Sequence, residues 1–231
     1  MTSTSQSVQH KQTFVERHLD PSDRMSEAVF GLVMVLGITS TASLFLEGTS
    51  DPALALMVTA VGCNLAWGIV DGVMYVVNSL FSRSRSGYIL HLIRNAPDPN
   101  AARAAIGGYL DQKLGDLLQS SEQAEVAGWL YDKVERVSEE RLHARLTGDD
   151  VAGGIATFGV VFIATLPAVI PLLFISDWLI ALRMSNVLTI LTLFLVGYNL
   201  ARYNGGNKWL LGLSFVCLGV ILVAITIALG G

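Results

Sequence analysis

The feature that most restricts this chain is a set of apolar runs, residues 26–47, 53–80, 152–175, 185–203 and 208–229, almost empty of Asp, Glu, Lys and Arg. A run of about 20 apolar residues matches the ~30 Å hydrocarbon layer of a bilayer. In lipid a backbone without internal hydrogen bonds is too costly, so each run must be a helix. Charged residues make up 15% of the 231 positions and crowd into residues 1–27 and 81–150, which excludes one large soluble core. The expected fold is therefore all-α, a multi-pass membrane protein. It has an N-terminal tail over 1–25, transmembrane helices one and two over 26–80, a helical insert over 81–150, and transmembrane helices three to five over 151–231.

The basic residues set the expected orientation. Lys11, Arg17 and Arg24 precede helix one, nine more lie in residues 81–150, and Arg202 and Lys208 flank the joint between helices four and five, leaving only Arg183 for the other side. The positive-inside rule then makes the N-terminus and the insert cytoplasmic and the C-terminus external. The N-terminus carries no basic stretch followed by a short apolar segment, so no removable signal peptide is expected and the first membrane helix serves as its own insertion signal. Cys63 and Cys217 lie inside apolar runs, an unusual setting for a structural disulfide or a zinc site.

Helical periodicity runs through the insert at Ile106, Tyr109, Leu110, Leu114 and Leu117, and again at Val126, Leu130, Val134 and Val137. Three helices are expected there: a short first piece at Tyr88–Arg94, a second opening at Asp98-Pro99, and a third capped by Ser120 with Gln123. In the joint before helix two, Pro52 suits the first helical turn.

Polar residues inside the apolar runs carry the candidate chemistry. Asn64, Asp71 and Asn78 recur every seven residues and share one face of helix two, with Met74 and Tyr75 beside them. A carboxylate at mid-span costs about 2.5–3.5 kcal/mol on insertion scales, so Asp71 should face the bundle interior or a watered path. The alternative is a polar staple in which Asp71 is tied to Thr39, Thr41 or Ser43 of helix one. Gly68 and Gly72 permit a close helix approach at the same level. Glu27 opens helix one as either a cap or a functional acid. In the insert, Glu135, Glu139 and His143 stand at four-residue steps, with Asp132 a turn earlier, as a weaker metal face or a solvated surface. Pro167 and Pro171 bend helix three, either as a gate or as a static kink.

The arrangement of two helices, a three-helix insert and three further helices resembles the vacuolar iron transporter family, in a divergent bacterial-type form. Thr157-Phe158 leading to the two prolines is similar to that family's helix three. The stretches Ser185-Asn-Val-Leu-Thr-Ile-Leu-Thr-Leu-Phe-Leu-Val-Gly-Tyr198 and Gly205-Gly-Asn-Lys-Trp-Leu-Leu-Gly212 are similar to its helix four and the start of its helix five. The resemblance implies exchange of ferrous or other divalent ions for protons, with an acid early in helix one, acidic and methionine residues in helix two, and glutamates of the insert collecting metal. By position Glu27 is similar to the helix-one acid. Met74 stands where helix two usually has a glutamate followed by a tyrosine, here Tyr75, and Asp71 lies one turn earlier.

The function expected from the sequence is export of a divalent metal cation, iron or manganese, from the cytoplasm by proton exchange across a bacterial cell membrane. Glu27, Asp71, Met74, Asn64 and Asn78 would line the path. A non-transporting membrane scaffold that binds a partner protein is the alternative. No nucleophile paired with a base marks an enzyme, and neither a prosthetic group nor a nucleic-acid partner is expected. Five helices leave an incomplete wall around the polar stripe, so a homodimer meeting through helices one and two is expected to close it.

Overall fold

Local caps account for most helix starts. Thr13 forms a reciprocal capping box with Glu16 and opens α1 (Phe14–His18). A second helix, α2, spans Pro21–Ala42. Gly48, at φ 87°, turns the chain, and the Asp51 carboxylate accepts from the Leu54 amide at 3.0 Å to start α3 (Pro52–Arg94). Asp98 accepts from the amides of Asn100 and Ala101, with Pro99 as the first residue of α4 (Pro99–Leu114). After a 3-10 turn at Gly115–Leu117 comes α5 (Ser120–Val134). The remaining helices are α6 (Gly148–Ile163), α7 (Leu166–Phe174), α8 (Trp178–Asn204, capped by Asp177) and α9 (Lys208–Ala228, capped by Asn207). This computed structural model describes residues 13–42, 46, 48–134, 136 and 145–229, and every regular element among them is helical.

Four helical stretches among the described residues are long and apolar enough to cross a membrane: Pro52–Arg94, Gly148–Phe174, Trp178–Asn204 and Lys208–Ala228. The first expected span is not among them, and its residues 43–45 and 47 lie outside the described residues. Val58, Ile69, Ile155, Leu191, Leu195 and Val220 point outward over these helices. Apolar surface on that scale suits lipid and not water, and the protein is an integral membrane protein.

The chain divides into two compact units, residues 1–75 with 148–231, and residues 76–147. In the first, Leu32, Leu36 and Leu193 form one buried cluster, and Leu56, Leu172, Ala181 and Leu182 another. α8 and α9 pack through small-residue notches, the Phe215 ring over Gly197 and the Phe194 ring over Gly212. In the second unit Ile93, Ala102, Ile106, Leu110 and Ala127 are the core, flanked by Val126, Leu130 and Val134. Arg103 stacks over the Tyr131 ring there.

Three local expectations need correction. Tyr88–Arg94 is not a separate first helix of the insert but the end of the 43-residue α3, because the polar stretch Ser82–Ser86 contains no residue that stops a helix. The third insert helix is not capped by Ser120 and Gln123: Glu122 reaches back to the Gln119 amide at 2.9 Å, one residue earlier, while the Gln123 side chain donates to the Gly107 carbonyl. The fourth span begins at Trp178 and not near 185, since Asp177 holds the amides of Leu179 and Ile180 at 3.0 and 3.1 Å.

Candidate transport site

Glycines bring three helices of the first unit together. A Cβ on Gly72 would stand 2.6 Å from the Gly154 carbonyl oxygen, and one on Gly68 3.0 Å from the Phe158 ring, so α3 and α6 touch backbone to backbone and run antiparallel. A Cβ on Gly31 would stand 2.8 Å from the Val161 carbonyl oxygen, which brings α2 equally close to α6. The Tyr75 ring lies over Gly153, where any side chain would overlap it, and its hydroxyl donates to the His18 carbonyl at 3.1 Å. The N-terminal segment is thereby held beside α3, with Leu19 buried.

Into this junction the fold brings Glu27 and Asp71. Both are partly buried, and the charges of Asp71 and of Asp23 reach the Glu27 carboxyl. Two carboxylates in such a setting are relieved by a shared proton or by a bound cation. The hydroxyls considered as partners for Asp71 go elsewhere: Thr41 donates to the Gly37 carbonyl, and Thr39 lies 3.1 Å from both the Leu36 carbonyl and Asn186 Oδ1. Ser43 lies outside the described residues.

The rest of the seven-residue stripe divides. Asn64 is completely buried, and its amide nitrogen donates to the Gly31 carbonyl at 3.1 Å and to the Thr165 hydroxyl at 2.8 Å. It therefore braces α2 and the α6–α7 break against α3, with only Oδ1 free among the described residues. Met74 is 48% exposed on the outer face of α3, and Asn78, in the second unit, is also exposed. The Gly68 and Gly72 face is occupied by α6 of the same chain, so it is not open to a second copy.

The expected bend of helix three is a break at Ala164–Thr165, between α6 and α7. Pro167 sits in the first turn of α7, where a missing amide hydrogen costs little, and Pro171 lies inside that helix. The Ala168 carbonyl beside them accepts from the Ser185 hydroxyl at 2.7 Å. Glu135, Glu139 and His143 lie outside the described residues. Among the described residues, no three His, Cys, Asp or Glu side chains converge on one point.

Two polar features escaped the reading of the sequence. One is the buried bridge between Thr39 of α2 and Asn186 of α8. The other is Thr157 of α6, fully buried, with a hydroxyl that has no hydrogen-bond partner among the described residues. Polar letters within apolar runs were their only signal in the sequence, and it does not distinguish a hydroxyl that bonds to its own helix from one that does not.

No curated protein matches the chain significantly. A family model described as the VIT family matches residues 105–231, from α4 to the end of the chain, and leaves the stretch bearing Glu27 and Asp71 outside the match. Members of that family are transporters and not enzymes, and the match points to membrane transport of a metal ion. With more than half of its length matched, the chain belongs to the VIT family, the vacuolar iron transporters.

Proposed function

We propose that the protein exports a divalent cation, manganese or ferrous iron, from the cytoplasm in exchange for protons. The observation that carries this reading is the pair Glu27 and Asp71, two carboxyl groups on neighbouring helices within electrostatic reach of each other inside an apolar bundle. A divalent ion balances both charges. Protons balance them equally well, so one site serves two cargoes in alternation. Met74, a turn beyond Asp71, adds a thioether that favours iron or manganese over calcium and magnesium. Asn64 and Asn78 contribute amides along the same helix, and Glu135, Glu139 and His143 of the insert gather metal weakly on the cytoplasmic side. Pro167 and Pro171 border the break at which the third span would flex. α2 is read as the fifth crossing, with the N-terminus and insert inside, the C-terminus outside, and a bacterial cell membrane as the location.

The same reading includes a homodimer. Met74 of the first unit is exposed on α3 beside Val70 and Val73, which are also exposed. Such an apolar face suits pairing with the same helix of a second copy. A partner there would cover Met74 and wall the path from the side that α2 and α6 leave open.

The test is metal uptake into proteoliposomes across a panel of divalent ions, with a pH-sensitive dye inside. Uptake of manganese or iron accompanied by a proton flux of opposite direction is expected. Binding of these ions without flux would overturn the transport reading.

A further inference from the structure

Hydroxyls in this bundle usually close on their own backbone. Those of Thr41, Thr59, Thr189, Thr192 and Thr226 each donate to the carbonyl four residues earlier, at 2.8–3.1 Å. Thr157 departs from that habit. It is 0% exposed, yet its Oγ1 bonds neither to its own helix nor to any other described residue.

The glycine contacts give its position. Gly31 of α2 lies against Val161 of α6 and Ala164 just past its end, and Glu27 and Thr157 stand one turn before Gly31 and Val161 on these two parallel helices. On the other side Gly68 meets Phe158 and Gly72 meets Gly154, so Asp71, between the glycines, lies level with the turn that holds Thr157. Thr157 shares the α6 face of Val161, which is the face turned to α2. Three helices thus bring two carboxylates and one uncommitted hydroxyl to a single level of the first unit.

We propose that Thr157 supplies the third protein oxygen to the divalent cation held between Glu27 and Asp71, and that it sets affinity at that site. The assignment rests on the transport reading given above. Its chemistry is one of charge balance: two carboxylates neutralise a divalent ion, and a neutral hydroxyl adds a ligand without leaving excess negative charge in lipid. An all-oxygen set of this kind suits manganese or ferrous iron more than thiophilic ions such as copper(I).

The test uses the full-length protein in mild detergent, titrated with manganese chloride in a calorimeter, and the same preparations in proteoliposomes. Thr157→Val keeps the shape and removes the hydroxyl, while Thr157→Ser keeps the hydroxyl. Thr157→Val is expected to weaken manganese binding by about tenfold and to raise KM for uptake more than it lowers the maximal rate. Thr157→Ser is expected to stay within about twofold of the native protein, since its ligand atom is unchanged. Native affinity in a folded Thr157→Val would overturn the assignment and leave the carboxylate pair standing. Equal loss in both variants would overturn it too, marking Thr157 as a packing group. Hydroxyl-dependent binding in a protein that carries no flux would support the ligand assignment and overturn transport instead.

Discussion

The α8–α9 pair beyond Ser185 and Asn186, which bond to α7 and α2, and the level of Glu27, Asn64, Asp71 and Thr157 at the junction of α2, α3 and α6 are made of the same apolar material, yet they treat polar groups in opposite ways. In α8 and α9, Thr192, Asn199, Ser214 and Thr226 each return a hydrogen bond to the carbonyl of their own preceding turn, and rings of Phe194 and Phe215 fill the glycine notches. At the junction Gly31 and Gly72 meet backbone carbonyls while rings of Phe158 and Tyr75 cover Gly68 and Gly153, Asn64 bonds across helices, and Glu27, Asp71 and Thr157 have no bond to their own helix among those described. A polar residue in a membrane helix therefore signals function less by its presence than by where its hydrogen bonds go. Those that close locally are passengers, and those that cross or stay open mark the working surface.

The contrast breaks most sharply at Glu27. Glu27→Gln keeps the shape of the side chain and removes one of two charges, and divalent uptake should fall by about 100-fold, at or beyond the upper end of what removing a mere supporting group costs a metal site. Radiotracer or fluorescent-indicator uptake in proteoliposomes measures it. Uptake near the native level would remove Glu27 from the transport path; helix capping is no alternative, since α2 begins at Pro21 and its first-turn acid is Asp23.

Packing comes next. Gly72→Ala puts a methyl group 2.6 Å from the Gly154 carbonyl oxygen and should destabilise the bundle by about 1–3 kcal/mol, whereas a Cβ at Gly62 on the same helix meets nothing. Gly62→Ala should be tolerated. Thermal unfolding in detergent distinguishes the two, and equal melting temperatures would remove the close contact between α3 and α6 from the account.

Four of the five expected apolar runs fall in helices long and apolar enough to span, because composition alone decides whether a helix suits lipid. The sequence also read the caps at Pro52 and Asp98, where the signal lies within three residues. It did not read the continuity of α3 into the insert, since a helix leaving an apolar run for a polar one changes its surroundings without changing its backbone. The seven-residue spacing of Asn64, Asp71 and Asn78 correctly put them on one face, but their environments depend on which neighbour covers each level. Asn64 meets Gly31 and Thr165, while Asn78 meets no cover in its own unit. Thr157 was legible as part of a helix-three pattern but not as an open hydroxyl, because the direction of a hydroxyl is a tertiary fact.

Asn64 sharpens the comparison at a smaller scale. Asn64→Ala leaves the Gly31 carbonyl and the Thr165 hydroxyl without their shared donor and should cost about 0.6–1.7 kcal/mol, the range for interhelical hydrogen bonds in membranes. Thr226→Val, which removes only a bond to its own helix, should stay within about 0.5 kcal/mol. Denaturation by sodium dodecyl sulfate in mixed micelles would compare them, and a larger loss at Thr226 would invert the proposed rule.

The smallest expected effect lies in the N-terminal tail. The Thr13 backbone amide, then its hydroxyl, and Arg24 at 3.5 Å hold the Glu16 carboxyl below its ordinary range. A lowered folded-state value means that this contribution is complete above the unfolded carboxylate range and is lost as the pH falls through the folded value. Amide hydrogen exchange across Phe14–His18 should therefore quicken at acid pH, and Glu16→Gln should show the faster exchange already at neutral pH. Exchange that ignores both pH and the substitution would leave α1 without its capping box.

The central claim is that one carboxylate pair exchanges metal for protons, and Asp71 tests it most directly. Manganese uptake and luminal pH should be recorded together in proteoliposomes carrying the native protein or Asp71→Asn, with folding checked by gel filtration. Coupled manganese and proton fluxes are expected in the native protein, with the loss of both in a folded Asp71→Asn. Manganese flux still coupled to pH in that variant would contradict the claim.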